Sequence, residues 1–241
     1  LHESLRRLLV LPFLRSWLAS SAESWRDLPK PSGRQTASAP GSNPDRILLV
    51  GSGIAVGYGA ESHDLALAGQ LARQVSEITG RGARVDVLVT EEMTANDVRK
   101  ALDRKWLTSV DTIVATPGGP ETLLMHSPRA WRRQLETLLD HVLAHAPASL
   151  HVFIVGVPPL ASIVRMPRIL GALSNSSSRR INTEIESLCK SRRNTTFVPF
   201  EPKEFAGRTG TGRTYHRWAG IIAPLVCAAL EPQVTQTAQQ G

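Results

Sequence analysis

The sequence predicts an α/β fold, with three α/β/α layers around a five-stranded parallel sheet. Three observations carry that expectation. Short runs of strand length, at residues 47–50, 83–89, 110–116, 150–155 and 195–199, alternate with longer segments of helical periodicity. The first run, Ile47-Leu48-Leu49-Val50, is apolar throughout, as a strand buried on both faces requires. It enters a glycine-rich turn, Gly51-Ser52-Gly53-Ile54-Ala55-Val56-Gly57-Tyr58-Gly59, and an amphipathic segment follows from Leu65. Strand, tight turn and helix in that order open a parallel sheet, and ligands of such sheets sit at the carboxyl ends of the strands.

The chain has 241 residues, enough for one α/β domain with a large core and a tail. At 41% hydrophobic and 20% charged residues, its composition is that of a globular protein. The net charge is +7, but the pairs Arg132-Arg133, Arg179-Arg180 and Arg192-Arg193 are scattered, so nucleic acid is not the expected partner. Attraction to anionic membrane surfaces stays open. Cys189 and Cys227 are the only cysteines, too few for a disulfide framework or a paired-cysteine metal motif.

Residues 1–45 are an appendage to the domain. Leu5, Leu8, Leu9, Val10, Leu11, Phe13, Leu14, Trp17 and Leu18 form an apolar segment interrupted by Pro12 and Arg15. It is far shorter than the roughly 20 residues that span a bilayer. Arg15 also breaks the apolar core that a signal peptide needs. A helix packed on the domain, or making peripheral membrane contact through residues 1–18, is the expectation. A cytoplasmic or membrane-peripheral location is favoured over a secreted one. Residues 29–44, rich in Pro, Gly and Ser, read as a linker.

The domain covers residues 46–230. A first helix carries Leu65, Leu67, Ala68, Leu71, Ala72, Val75 and Ile78 inward and closes at Gly80. In the second strand Val85, Val87 and Val89 alternate with polar residues or Leu88. Thr94, with Asp97 three residues on, caps a helix reaching Lys105. The third strand ends in Pro117-Gly118-Gly119-Pro120. Ser127-Pro128 starts a long helix with Trp131, Leu135, Leu138, Leu139, Val142 and Leu143 inward. The fourth strand ends in Gly156-Val157-Pro158-Pro159-Leu160. A helix over residues 174–190 turns Ile181, Ile185 and Leu188 inward, and a short fifth strand and a flexible loop at 207–212 follow. A closing helix over residues 215–230 buries Trp218, Ile221, Ile222, Leu225 and Val226, with a kink expected at Pro224. Residues 231–241 are a polar tail.

These elements and their turn sequences resemble the GDSL or SGNH hydrolase family over about residues 46–230. The likeness is clearest at residues 47–59, 112–139, 156–160, 180–188 and 216–219. The resemblance implies a flavodoxin-like strand order and serine ester hydrolysis of lipid, sugar or small acyl esters. The family places a nucleophilic Ser in a Gly-Asp-Ser turn after the first strand. A Gly after the second strand and an Asn after the third complete the oxyanion hole. An Asp and a His, three residues apart before the last helix, complete the triad.

This chain departs from that pattern at all but one of these positions. Gly53 stands at the nucleophile, Glu92 at the oxyanion Gly, Pro120 at the oxyanion Asn and Arg213 at the triad Asp; His216 alone matches. Gly53 has no side chain to attack a carbonyl. Pro120 lacks both an amide side chain and a backbone N–H. Glu92 brings negative charge where an oxyanion would form, and Arg213 cannot accept a bond from an imidazole N–H. Loss of ester hydrolysis, leaving a pseudoenzyme or a binder of an ester or acyl ligand, is therefore the expectation. The alternative is a weak or repurposed esterase that uses Ser52 and His216.

Taken singly, these residues have plainer structural readings, which are preferred. Ser52 in a turn also suits local backbone bonding, and His216 suits packing at the start of a helix. Asp64 reads as a helix cap beside an exposed His63. The histidines His63, His126 and His216 lack metal spacing, so no metal is expected. Gly51-x-Gly53-x-x-x-Gly57, with Asp86 or Glu91 as a ribose acid, is a poor dinucleotide fingerprint, because too many residues separate the turn from the helix. No cofactor is expected.

Overall fold

The computed structural model describes residues 10–13, 16–17, 28–123, 127–159, 161, 166–200 and 212–238, the side chains of 123 and 232–238 excepted. Among the described residues six strands are present: β1 (Thr36–Ala39), β2 (Asp45–Gly51), β3 (Ala83–Val89), β4 (Thr112–Thr116), β5 (His151–Val155) and β6 (Thr195–Val198). They form one sheet in the order β1-β3-β2-β4-β5-β6. The pairs β2–β3, β2–β4, β4–β5 and β5–β6 are parallel, so their carboxyl ends share one edge. Without β1, this is the flavodoxin-like order.

Among the described residues the helices of the domain are α1 (Leu67–Thr79), α2 (Ala95–Ala101), α3 (Arg104–Ser109), α4 (Gly119–Leu123), α5 (Pro128–His145), α6 (Arg168–Lys190) and α7 (Gly212–Ala238). The central strand β2 feeds two cores, because successive side chains leave opposite faces of a sheet. Ile47 and Leu49 join α1 and α7, through residues such as Leu71, Trp218 and Ile222. Leu48 and Val50 join α2, α5 and α6, through Val98, Trp131 and Ile181.

Four expectations need correction. The sheet has six strands, not five, and the extra one lies in the segment read as linker. There β1 pairs antiparallel with β3, with Ala37 and Ala39 buried and Ser38 exposed. Small residues among prolines and glycines carry too little apolar signal to announce a four-residue strand. The helix expected over residues 95–105 is broken: α2 stops at Ala101, and the Asp103 side chain accepts from Trp106 N to start α3. Helices α6 and α7 begin before the predicted starts, and α7 runs on through Pro224 to Ala238. Leu65, Ile78, Leu143 and Leu225, expected inward, are 52%, 51%, 40% and 38% exposed. The buried stripes are narrower than the apolar patterns.

The caps at Thr94 and Ser127 behave as read. Thr94 and Asp97 form a reciprocal capping box, and the Ser127 side chain accepts from Ala130 N ahead of Pro128. In the N-terminal segment, residues 10–13 and 16–17 are helical and Phe13 is exposed; the rest of residues 1–27 lies outside the described residues. Among the described residues, no helix is long and apolar enough to cross a membrane.

Candidate functional site

The strand ends gather four loops. The first follows β2. A Cβ on Gly51, whose φ is +128°, would stand 2.7 Å from the Thr116 carbonyl, so glycine lets β2 and β4 approach here. Ser52 N donates to Thr116 O at 3.1 Å, and Thr116 Oγ1 donates to Ser52 O at 2.8 Å. These bonds fix the direction of the Ser52 side chain. Ser52 is 1% exposed, and its Oγ has no hydrogen-bond partner. A Cβ on Gly119 would lie 3.2 Å from that Oγ, so the hydroxyl is tucked against the first turn of α4. Gly53, with φ +63°, starts a 3-10 turn to Val56, and no described residue lies within 4 Å of the position its Cβ would take. The position read from the sequence as the nucleophile's therefore carries no side chain and is open toward the described residues.

The second loop, after β3, carries Glu91 and Glu92, both exposed, with Glu91 paired to Lys30. The third, after β4, holds Gly118, Gly119 and Pro120. Pro120 is buried. Next to it Glu121 is 0% exposed; one carboxyl oxygen accepts from Ala95 N at 2.8 Å and the other has no partner. Burial pushes its pKa up, and the Asp97 charge adds to that, against the bond from Ala95 N. Glu121 thus joins the Pro120 turn to the start of α2 behind Glu92.

The fourth loop, after β5, is held by one face of α6. The Asn182 side chain accepts from Val157 N at 2.8 Å and donates to Val157 O at 2.9 Å. Ser178 Oγ donates to Pro158 O, and Asn175 Oδ1 accepts from Ala161 N. Positions 175, 178 and 182 share a helix face by their spacing. Val157 in turn packs on the third loop: a Cβ on Gly118 would meet its Cγ2 at 2.6 Å. From Asn182 through Val157 and Gly118 to Gly119 and Ser52, this side of the cleft is one connected unit.

His216 stands elsewhere. Gln74 Nε2 lies 3.1 Å from His216 Nδ1 and donates to His216 O at 2.8 Å. Gln74 is the eighth residue of α1, about 10 Å along the helix axis from its start. His216 is therefore engaged on the α1–α7 seam and makes no bond to Ser52. Arg213 is exposed in the first turn of α7. The residue of this helix that reaches the glycine-rich loop is Tyr215, whose hydroxyl donates to Tyr58 O at 2.8 Å.

The expectation for His63 and Asp64 is corrected. His63 is buried at 6% with Nδ1 unpartnered, and burial lowers its pKa. Asp64 caps nothing; the residue before α1 is Ala66, without a side-chain cap bond. The loop instead folds back on the helix, where Gly69 N donates to His63 O. Ten residues separate Val56 from the start of α1, so the helix that follows the glycine-rich turn in sequence does not begin at it, as a dinucleotide fingerprint requires. His126 and Leu160 lie outside the described residues. Among those described, no group of three or more His, Cys, Asp or Glu could hold a metal ion.

The sequence reading missed Glu121, Gln74, Tyr215 and the Asn182 clamp. Asn182 lay within the block at residues 180–188 that carried the resemblance, and Glu121 lay beside Pro120. Nothing local to Gln74 signals its partner 142 positions away.

The sequence matches no protein-family model and no curated protein. The fold matches solved structures. A lipase from a goat rumen metagenome aligns over 74% of this chain and 95% of its own, at 13% identity and a TM-score of 0.60. AlinE4, an SGNH-hydrolase family esterase, aligns over 78% and 98%, at 19% identity and a TM-score of 0.53. A G-D-S-L family protein from Desulfitobacterium hafniense aligns over 74% and 97%, at 8% identity and a TM-score of 0.53. With its parallel strands in this order, helices on both faces and these structural neighbours, the chain has the SGNH hydrolase fold.

Proposed function

We propose that this chain keeps the SGNH fold as a binding scaffold for an ester or acyl ligand and has lost serine ester hydrolysis. One observation carries the proposal: the hydroxyl nearest the nucleophile position is turned inward, while the position that opens to the cleft is Gly53. Ser52 is 1% exposed and lodged against Gly119. His216, the base such a hydroxyl would need, is held by Gln74. A serine without a base is a poor nucleophile. Pro120 supplies no donor to an oxyanion, and the loss of one such donor typically costs about 10²–10³ in rate.

A second reading has one point in its favour. Ser52 Oγ has no hydrogen-bond partner, so no bond has to break for it to rotate. A weak esterase would then use Ser52 and His216. A short-chain chromogenic acyl ester separates the two readings when this chain is compared with Ser52→Ala and His216→Ala. Near-background rates in all three, with saturable binding of a fluorescent fatty-acyl probe, are expected. Turnover lost in both variants would overturn the proposal.

A further inference from the structure

The chain ahead of β1 lies bound along the domain. Pro29-Lys30-Pro31-Ser32 runs beside the loop after β2 with a backbone bond at each end. Gly59 N donates to Pro29 O at 2.7 Å, and Ser32 N donates to Glu61 O at 3.1 Å. Between these bonds Pro31 sits over Gly57. A Cβ at Gly57 would stand 2.6 Å from Pro31 Cγ and 3.0 Å from the Ala66 side chain, and the φ of Gly57 is +85°, so glycine is what leaves room for the ring. Lys30 reaches across to Glu91 in the loop after β3. Beyond the strap, Gln35 O accepts from Val87 N, and the chain passes into β1.

These four residues have the chemistry of an extended peptide ligand. Proline fixes its own φ and keeps the residue before it out of the helical region, so Lys30 is held extended before any contact forms. A segment stiffened in this way loses little freedom on docking, which suits it to surface grooves. Neither proline carries an N–H that docking would strip of water, and the groove engages the backbone groups that remain, Pro29 O and Ser32 N. Gly57 selects the ring and Glu91 the cation. The strap is also lightly held. The Lys30 and Glu91 side chains are each 37% exposed, and ion pairs so exposed contribute little. Gly33 follows at once, with φ +91° and no described residue within 4 Å of its Cβ position.

We propose that Gly57, Gly59, Glu61 and Glu91 form a binding site for an extended proline-lysine-proline segment, which residues 29–32 fill from within the same chain. Closed, the strap ties the loop after β2 to the loop after β3, the two loops that carry Gly53 and Glu92. A pivot at Gly33 releases it while β1 stays paired with β3, and the vacated site then takes a segment of the same chemistry from another chain. Opening of this kind breaks few buried contacts and leaves the core intact. The site is separate from any ligand of the cleft, so it stands or falls independently of the proposed function.

The test combines native-state hydrogen exchange on the full chain with binding of a fluorescein-labelled peptide of residues 28–34. Lys30→Glu with Pro31→Gly opens the strap. In that variant the Gly59 N–H should exchange at least about tenfold faster, while the amides of β2 and β4 keep their protection. The peptide should bind the opened variant at least about tenfold more tightly than the parent, whose site is filled at the high effective concentration of a tethered segment. Bound peptide should restore protection to Gly59. Adding Glu91→Lys to the opened variant should weaken the peptide about threefold or more and favour a peptide carrying Lys30→Glu. Unchanged exchange at Gly59 would overturn the proposal, as would equal binding of a scrambled peptide or a bound peptide that leaves Gly59 unprotected. Protection lost in β2 and β4 together with Gly59 would make the strap part of the global fold, and would overturn it as well.

Discussion

Glu121→Gln tests whether the turn at Pro120 is built around a strained buried acid. The parent carboxyl is 0% exposed, and only one of its oxygens has a partner, the N–H of Ala95. A buried acceptor left unpaired costs about 1–3 kcal/mol, and more when charged. Burial is the largest influence on Glu121 and raises its pKa from 4.5. The folded state therefore holds the proton to a higher pH than the unfolded chain does. Below the unfolded value the carboxyl is neutral in both states, and its contribution to stability is complete. That contribution is lost as pH rises through the folded value. The amide keeps an acceptor for Ala95 N–H and cannot ionise. Parent and variant should match near about pH 4, and the variant should be more stable by about 1–3 kcal/mol at about pH 8.

Urea unfolding followed by tryptophan fluorescence is the assay, because Trp131 is fully buried in the same layer as α4. For a domain of this size, that difference corresponds to a rise of about 2–12 °C in Tm. His63 acts in the opposite direction: its lowered pKa means stability present above 6.5 and lost as pH falls through the folded value. Only the difference between the two chains isolates Glu121. A gain that is independent of pH, or larger in acid, would refute the account.

Other predictions follow from the same geometry. Asn182→Ala leaves the N–H and C=O of Val157 unpaired in a residue 3% exposed, and should cost about 2–4 kcal/mol in urea unfolding, with faster proteolysis of the loop after β5. Gly118→Ala meets Val157 Cγ2 and a φ of +100°, and should cost about 2 kcal/mol by thermal unfolding. The thiols of Cys189 and Cys227, each pushed up to about 11 by burial, should resist a thiol reagent at about pH 8 in the native state and react on unfolding.

What was legible in the sequence depended on how local its cause is. Strands β2 to β6 could be read because their apolar runs are bounded by turns, and the capping box at Thr94 because its partners are three residues apart. Strand β1 could not be read, since its partner β3 lies in register only after the chain folds back through Gly41 and Gly82. The same limit hid the Gln74–His216 and Glu121–Ala95 bonds, which join residues 142 and 26 positions apart. His63 was misjudged because a polar residue beside an acid reads as exposed, whereas the loop folding over Gly69 buries it.

Gly53→Ser bears most directly on why chemistry would be missing from this fold. A serine there meets no obstacle among the described residues, none of which lies within 4 Å of its Cβ position. Its cost is the backbone: at φ +63° a non-glycine residue is strained by about 1–2 kcal/mol. The protein should therefore fold and carry an exposed hydroxyl at the position that matches the family's nucleophile. It should still fail to turn over a chromogenic ester. His216 remains bound to Gln74 on the α1–α7 seam, Arg213 cannot orient it, and Pro120 donates no N–H. Esterase rates at background, together with thermal unfolding lowered by about 2–8 °C, are the expected result. Restored turnover from this one substitution would mean that the base and the oxyanion donors are already in place, and that a missing side chain at residue 53 is the whole of the defect.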